Sequence, residues 1–540
     1  MKKTLTLICT LVVLACCIYI VLPKPETFLG ATALSEEAFE AKVAGYTEQE
    51  FAETFADEIL FESAALIYEQ TSDCYFISVG ETIRGNFIVP DDVTLYWIGE
   101  ETVFEYESMI QQDGVFFLGI VQGETYCVIN LKITNLPLIS ITADNMPAAL
   151  SDYSAFASMT VITPYDEETG QYLSQDYDFI VRVRGQTSSA FAKKSYKINL
   201  INEWGERAEE SFFGMRNDND WVLSAIFSDT TRVRDLSCYD LYQDLAAEES
   251  TENMYPQEAV YCEVILNGAY LGLYLLAEHM DTKQLEINEE TDIVYKGITP
   301  YMPYIEELAG YQNEDYGGFQ KIEIKYVPAS LVDDAYVPLR DFLTVLPYYS
   351  LQPDYSLLPS EEGVSLAQVQ SVADIENLID MSIFKICLDL WDNDAKNMML
   401  TARMQEDGSY LLYKDYFDFN YSFGDIYVAD LTQHFTTENV GSSVSLDYVI
   451  AYLLNGPDAD EVIALYQARY AELRESVFSQ ENITATISEN QQQIDTSGAY
   501  LRELERWGEN VDVVYENERI HTYVTERLAA VDEFVAALGQ

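Results

Sequence analysis

Basic residues are scarce in this 540-residue chain: 30 Lys and Arg stand against 91 Asp and Glu, a formal net charge of −61. Such a surface repels polyanions, which excludes nucleic acid and anionic membrane surfaces as partners. Histidine is rarer still, with only His279, His434 and His521. Three imidazoles give poor support to a zinc hydrolase built on His ligands or to a His-based triad. The eight cysteines include no Cys-x-x-Cys pair, which argues against a zinc ribbon. Cys74 and Cys127 flank one β-rich segment and fit either an extracellular disulfide or two buried thiols. No repeat or low-complexity tract stands out.

Apolar content is ordinary at 48%, so the chain is globular, and its length calls for roughly two to four domains. The one long uncharged apolar run, residues 4–22, follows Lys2 and Lys3. Segment 1–23 is therefore expected to be a signal-anchor or signal peptide that leaves the rest of the chain outside the cell membrane. Val13-Leu14-Ala15-Cys16 loosely resembles a lipobox, and the signal-anchor is preferred. Residues 24–70 are acidic, with Phe39, Val43, Phe51, Phe55, Ile59 and Leu60 at helical spacing, and are expected to form a helical linker or stalk. Short β-rich runs separated by Gly, Asp and Pro predict a small β-sandwich accessory domain over 71–135.

Strand-like runs continue to Arg184-Gly185-Gln186-Thr187-Ser188-Ser189, followed by Lys193, Lys194 and Lys197. A small-residue loop beside three lysines can cradle phosphate, since bare backbone N–H groups and point charges both suit an anion. The same pattern fits a solvated edge strand guarded by lysine. A helix is expected over 229–245, capped by Asp229 or Thr230. Arg232 and Arg234 fall in its first turns, where helices prefer acids. A buried carboxylate or a phosphate would explain them, as would plain solvation. Residues 260–278 read as a hairpin turning at Asn267-Gly268, a pair that favours the type I′ turn. Its exit, Glu278-His279-Met280, is the part that can reach a ligand. Asp374 is placed to cap a helix over 375–390. Helices are expected at 445–454, 458–478, 485–507 and 514–538.

The stretch 388–424 gathers the densest chemistry. Asp392, Asp394 and Asn397 precede an apolar run, a Glu-Asp-Gly turn, a second strand, and then Asp418-Phe419-Asn420. A hairpin would bring the two groups together. Carboxylates with carboxamides suit a hard cation such as Mg²⁺. Asp392 and Asn397 are five residues apart, the spacing of the Asp and Asn in a protein-kinase catalytic loop, and Asp418-Phe419-Asn420 stands where such an enzyme carries Asp-Phe-Gly. An acidic surface hairpin fits the same residues.

Taken in order, several pieces resemble the CotH family of secreted, atypical protein kinases first known from bacterial spore coats. These are Leu136-Pro137-Leu138-Ile139-Ser140-Ile141, the 184–189 loop with Lys193 to Ile198, Asp220-Trp221-Val222-Leu223 with Arg232 and Arg234, the hairpin at Asn267-Gly268, and Asp392-Asn393-Asp394-Ala395-Lys396-Asn397 with Asp418-Phe419-Asn420 and Phe423-Gly424. The resemblance implies an α+β, protein-kinase-like two-lobe fold with a β-rich N-lobe and a helical C-lobe. The domain core would span 136–430, and 431–540 would complete the helical lobe. It implies transfer of the ATP γ-phosphoryl group to Ser or Thr of surface or secreted proteins, with Mg²⁺ or Mn²⁺. By resemblance Asp392 is the catalytic carboxylate. Lys197, or Lys194, holds the phosphates, with Arg184, Ser188 and Arg234 near the cofactor and Glu278 at the hinge beside adenine. Asn397, Asp418, Asn420 and Asp394 are the metal ligands. The family often carries Asp-x-Asp where this chain ends in Asn420, which removes a charge and keeps a weak kinase, or a catalytically inactive surface or coat assembly protein, as the alternative. A Mg²⁺-dependent phosphohydrolase on the same acids is a third.

Overall fold

The computed structural model describes residues 27–80, 83–99, 103–166, 171–185, 188–248, 253–299, 302, 321–346, 364–393, 395–428, 431–434, 440 and 448–540. Segment 1–23 and Asp394 lie outside them.

Residues 27–134 build one unit. Its strands are β1 (Thr27–Phe28), β2 (Ala31–Leu34), β3 (Thr47–Glu48), β4 (Leu60–Phe61), β5 (Ala64–Ala65), β6 (Ile67–Glu69), β7 (Cys74–Ser78), β8 (Phe87–Ile88), β9 (Val93–Ile98), β10 (Phe116–Gln122) and β11 (Thr125–Thr134). Eight of them form a mixed sheet in the order β1-β2-β9-β10-β11-β7-β6, with β3 alongside β11, while β4, β5 and β8 make a small second sheet. Side chains alternate along β9. Val93, Leu95 and Trp97 join the core that also buries Tyr106 and Ile110 of helix Val103–Gln111. Tyr96 and Ile98 face the other way, against Phe39 and Val43 of helix Glu36–Val43. The small β-sandwich expected over 71–135 corresponds here to a large sheet with a helix on each face, whose core also takes Phe61 and Phe87 of the small second sheet. The expected linker over 24–70 is corrected, because its residues from Thr27 onward supply strands and the covering helix. Cys74 and Cys127 are buried free thiols, and burial pushes the Cys127 thiol up to about 12.

Next comes a closed barrel of β12 (Leu138–Thr142), β13 (Ala155–Asp166), β14 (Gln171–Arg184), β15 (Ser195–Ile201), β16 (Asp220–Ser224), β17 (Ala259–Leu266) and β18 (Ala269–Glu278). Alternating apolar residues such as Ile139, Phe179, Ile198, Trp221, Val264 and Tyr274 fill its interior. Asn267 and Gly268 both take positive φ, 51° and 75°, as the β17–β18 turn requires. The Asn267 side chain also ties the turn to β12, accepting from the Ala143 N–H and donating to its carbonyl, each at 2.9 Å.

A four-stranded sheet, β20-β19-β21-β22, follows: β19 (Ile293–Gly297), β20 (Ile322–Tyr326), β21 (Met398–Met404) and β22 (Tyr410–Tyr416). Helix Ile375–Leu388 packs behind it. Asp374 caps the helix by accepting from the Asn377 N–H at 2.8 Å. The last helices are Tyr448–Leu454, Ala459–Glu475, Gln480–Thr496, Ala499–Trp507 and Val513–Ala537. The single helix expected over 485–507 is broken at Gly498. Its φ is 69°, and a side chain there would overlap the Ile110 carbonyl of the first unit. Helix Arg234–Ala246 starts five residues later than expected, because the Asp229 side chain accepts from the Arg234 N–H instead of capping a helix at 229.

Three parts of the chain meet at Arg502. Its guanidinium holds Glu263 of the barrel through two bonds of 2.8 Å and Asp113 of the first unit at 2.6 Å. Glu263 also accepts from the Tyr270 hydroxyl at 2.6 Å. A buried charge network of this kind is fully satisfied, which fixes how the parts dock.

Candidate active-site cleft

The β21–β22 hairpin does what its sequence requires. Met398 pairs with Tyr416, so Asn397 and Phe417 face each other at the open end. The Phe417 N–H donates to the Asn397 carbonyl at 3.1 Å. Asn393 locks the pair by donating to the Phe417 carbonyl at 2.9 Å and the Asn397 carbonyl at 3.3 Å. Asn397 and Asp418 both sit in the left-handed region, at φ 51° and 65°, where Asn and Asp are better tolerated than most residues. Asp392 Oδ2 accepts from Asn397 Nδ2 at 3.2 Å and ion-pairs with Lys396. Burial, with the Asp418 charge behind it, raises the Asp392 carboxyl above its ordinary value.

Beyond Asp418 the loop is pinned. Phe419 is buried among Tyr239, Tyr242 and Phe384, with ring centroids 5.2, 6.3 and 5.6 Å away. Its N–H donates to Asp235 of helix Arg234–Ala246 at 2.8 Å. Burial and the neighbouring Asp418 push the Asp235 carboxyl well up. Asn420 donates to Ser228 Oγ at 3.0 Å. Arg234 reaches the Ser422 carbonyl at 3.1 Å and Asp425 at 2.7 Å while pairing with Asp229. It is fully buried and absent from the cleft wall. The cofactor-contacting role expected for Arg234 is corrected to a buried-carboxylate one, and Arg232 behaves alike with Glu503 and Glu509.

The cleft lies on the outer face of the barrel. Register places Arg184 opposite Ser195, Lys197 opposite Val222 and Val222 opposite Ala277, all on that face. Arg184, Gly185, Ser188, Lys193, Val222 and Ala277 line one side; Tyr239, Met280, Lys296, Phe417, Asp418 and Asn420 line the other. Lys197 ion-pairs with Asp220 at 2.9 Å on the same face but is not part of the lining. Lys194 turns back to the Ser189 and Phe191 carbonyls of its own loop. Lys193 goes into the interior, against Glu503 at 2.7 Å and 4.3 Å above the Tyr274 ring, and burial brings its amine down to about 8. The Glu278 carboxylate accepts from the Arg216 N–H at 2.9 Å and the Glu258 N–H at 3.0 Å. It shapes the strand exit, where the Glu278 N–H donates to the Glu258 carbonyl at 3.0 Å, the Glu278 carbonyl accepts from Gln257 and the His279 carbonyl accepts from Arg216 at 2.8 Å.

A family model described as CotH kinase protein matches residues 181–531. The chain belongs to this family. No curated protein matches it. The CotH match runs from the end of β14 through the last long helix, so the cleft and the hairpin fall inside it.

Within this CotH domain Asp418, Asn420, Arg184 and Ser188 line the cleft, and Asp392 and Asn397 sit beside Asp418 outside its lining. Lys197 and Lys194 stay outside the lining. Asp235, Lys193 and Lys296 were missed by sequence reasoning. Lys193 was visible as part of the lysine cluster. Asp235 and Lys296 carry no local signal, since a helix and a strand distant in sequence bring them in. Asp220, His279 and Asp281 also cluster, with ligand atoms within 4.8 Å of one another. Their carboxylates are already matched by Lys197 and by Arg216, the latter 3.4 Å from Asp281, so the group reads as an ion-pair knot beside the cleft.

Proposed function

We propose that this CotH-family protein is an extracytoplasmic protein kinase, tethered by segment 1–23, that transfers the γ-phosphoryl group of ATP to Ser or Thr of surface or secreted proteins. The observation that carries the proposal is the convergence of Asp392, Asn397 and Asp418 beside a cleft whose two sides carry Arg184 and Lys296. In this reading the barrel is the N-lobe and the helical part the C-lobe, with the nucleotide between them. The Met280 peptide groups form no hydrogen bond among the described residues and stand at the strand exit, where an adenine edge would use both donor and acceptor.

The donor set fits a divalent cation, because Asn397 and Asp418 offer hard oxygen ligands next to an anion-attracting wall. Asn397 and Asp418 would hold Mg²⁺ or Mn²⁺, with Asn420 or Asp394 as further ligands. When bound, the cation supplies charge neutralisation for the phosphates. Asp392 spends Oδ2 on Lys396 and Asn397 and keeps Oδ1 for the acceptor hydroxyl, orienting it and taking its proton. Burial makes that carboxylate a better base than an exposed one. Arg184 and Lys296 would offset phosphate charge in a protein that otherwise repels it.

The test is incubation of the protein with labelled ATP and Mg²⁺ or Mn²⁺. Label on Ser or Thr of a protein acceptor that disappears in Asp418→Ala supports the kinase. Phosphate release without protein labelling would replace it by a phosphohydrolase. One observation favours a non-enzymatic assembly role: Asn420 carries no charge and gives its amide to Ser228. Absence of nucleotide binding with either metal would leave that role standing.

A further inference from the structure

Four buried bases among the described residues have acid partners. Lys193 has Glu503, Arg232 has Glu503 and Glu509, Arg234 has Asp229 and Asp425, and Arg502 has Glu263 and Asp113. With 91 carboxylates available to 30 bases, that is the expected outcome, because a desolvated charge without a counter-charge is costly. Two residues of the cleft depart from it.

The Lys296 side chain, on β19, makes no hydrogen bond or ion pair among the described residues. Its cross-strand partner is Glu323, whose carboxylate turns to Lys325 at 3.0 Å instead. The Lys296 ammonium is left above the Phe417 ring, 5.1 Å from its centroid. Burial, then the nearby Lys325 and Arg184, lower its amine to about 8. The Arg184 side chain, at the end of β14, likewise has no hydrogen bond or ion pair among the described residues. Both line the cleft. One comes from the barrel and the other from the sheet that carries the Asn397–Asp418 hairpin, so two like charges face the same space from separate walls.

We propose that Arg184 and Lys296 form a two-sided anion subsite in which the phosphate chain of the nucleotide bridges the barrel and the β19–β22 sheet. The proposal rests on the kinase reading for the identity of its ligand. A guanidinium fork and a compact ammonium are both suited to phosphate oxygens. Asp418 also lines this space and acts electrostatically on Lys296. It repels a bare carboxylate but accepts an anion that brings its own cation, which favours a metal–phosphate complex. Closing the gap between two like charges with one polyanion also links ligand binding to the docking of the two walls.

The full chain is titrated calorimetrically with Mg²⁺-ATP, adenosine and inorganic tripolyphosphate, as wild type, Lys296→Gln, Lys296→Arg and Arg184→Gln. The expected result is at least a tenfold loss of Mg²⁺-ATP affinity in both Gln variants, adenosine affinity within twofold of wild type, and retention of most affinity in Lys296→Arg. Lys296→Gln should melt no lower than wild type without ligand, since it removes an uncompensated charge. A Lys296→Gln variant that binds Mg²⁺-ATP like wild type overturns the subsite while leaving the kinase reading intact. Tripolyphosphate binding that depends on Lys296, in a protein blind to adenosine and ATP, supports the subsite and overturns the nucleotide. A wild type that binds none of the three overturns both.

Discussion

The carbonyl oxygen of Ala395 occupies the place where a side chain on Gly297 would begin. The loop that carries Asp392 and Asn397 therefore rests on the backbone of β19, and only glycine permits that approach. Gly297→Ala is expected to push the loop outward. A displacement near 1 Å costs on the order of 100-fold in a reaction that depends on positioning. Phosphoryl-transfer rate should fall by at least that order, with a melting temperature only modestly reduced, because β19 keeps its pairing with β20 and β21. Rate and calorimetric melting measured on the same variant check it.

Asp392 and Asp418 should separate binding from chemistry. Asp392→Asn keeps the bond geometry to Asn397 but cannot take the acceptor proton. Transfer is expected to drop by roughly 10²–10⁴-fold, with Mg²⁺-ATP affinity within about threefold of wild type. Asp418→Asn removes a ligand charge and should weaken Mg²⁺-ATP binding and transfer together. Labelled-phosphate transfer and titration calorimetry distinguish the two patterns.

Arg502 offers a stability test away from the cleft. Removing it as Arg502→Met leaves the wholly buried Glu263 without its counter-charge, while Asp113 keeps Lys132 at 2.8 Å. Breaking one partner of a buried pair costs about 3–5 kcal/mol, so the urea midpoint should fall clearly. The double variant Arg502→Met, Glu263→Leu should recover part of the loss, because the uncompensated carboxylate goes with it. Equal loss in single and double variants would contradict the network.

The pH dependence of stability reports on Lys296. Its amine lies near 8 in the folded chain against an ordinary 10.5, held down by burial, Lys325 and Arg184 and opposed by Glu323 and Asp418. Below pH 8 it is charged in both states and wild type carries the whole penalty. Above 10.5 it is neutral in both and the penalty is gone. Wild-type stability relative to Lys296→Met should therefore rise as pH climbs from 8 to 10.5. At pH 7 the variant should be the more stable, by about 1–3 kcal/mol after allowing for the partial exposure of the side chain. Urea unfolding of both proteins at pH 7 and pH 9.5, taken as a difference so that shared groups cancel, measures the sign.

The elements that could be read without coordinates are those whose signal is local. The hairpins at Asn267-Gly268 and 398–416, the Asp374 cap and the helical stripes near the C-terminus depend on alternation, turn chemistry and capping within a few residues. The Asp392–Asn397–Asp418 grouping was visible for the same reason, since one hairpin makes it. The strands between Thr27 and Glu69 were not, because runs of two to four residues leave no period to detect. The partners of Arg232 and Arg502, Glu503 and Glu263, lie more than two hundred residues away. Lys197 illustrates the limit from the other side: its place in a lysine cluster drew attention, yet Asp220 of the next strand takes up its charge. The lysine that faces the cleft unpaired, Lys296, sits in a strand with nothing locally unusual about it.

Asn420 gives the sharpest test of how active the site is. Its amide donates to Ser228 Oγ at 3.0 Å, within the cleft wall and two residues from Asp418. Asn420→Asp replaces that amide by a carboxylate of nearly the same shape, and the Ser228 hydroxyl can turn to donate to it, so no buried group is orphaned. A second charge beside Asp418 strengthens attraction for a divalent cation but adds repulsion between the carboxylates when none is bound. The variant should therefore lose stability in metal-free buffer and regain it with Mg²⁺ or Mn²⁺, giving a larger metal-induced melting shift than wild type. Transfer should rise, by about tenfold if metal occupancy limits the wild-type rate, since each pH-unit-sized interaction is worth a factor of ten. Higher metal affinity without any gain in transfer would place the limit elsewhere, in the acceptor side of the cleft. A smaller metal-induced shift than wild type would mean that residue 420 does not face the cation at all.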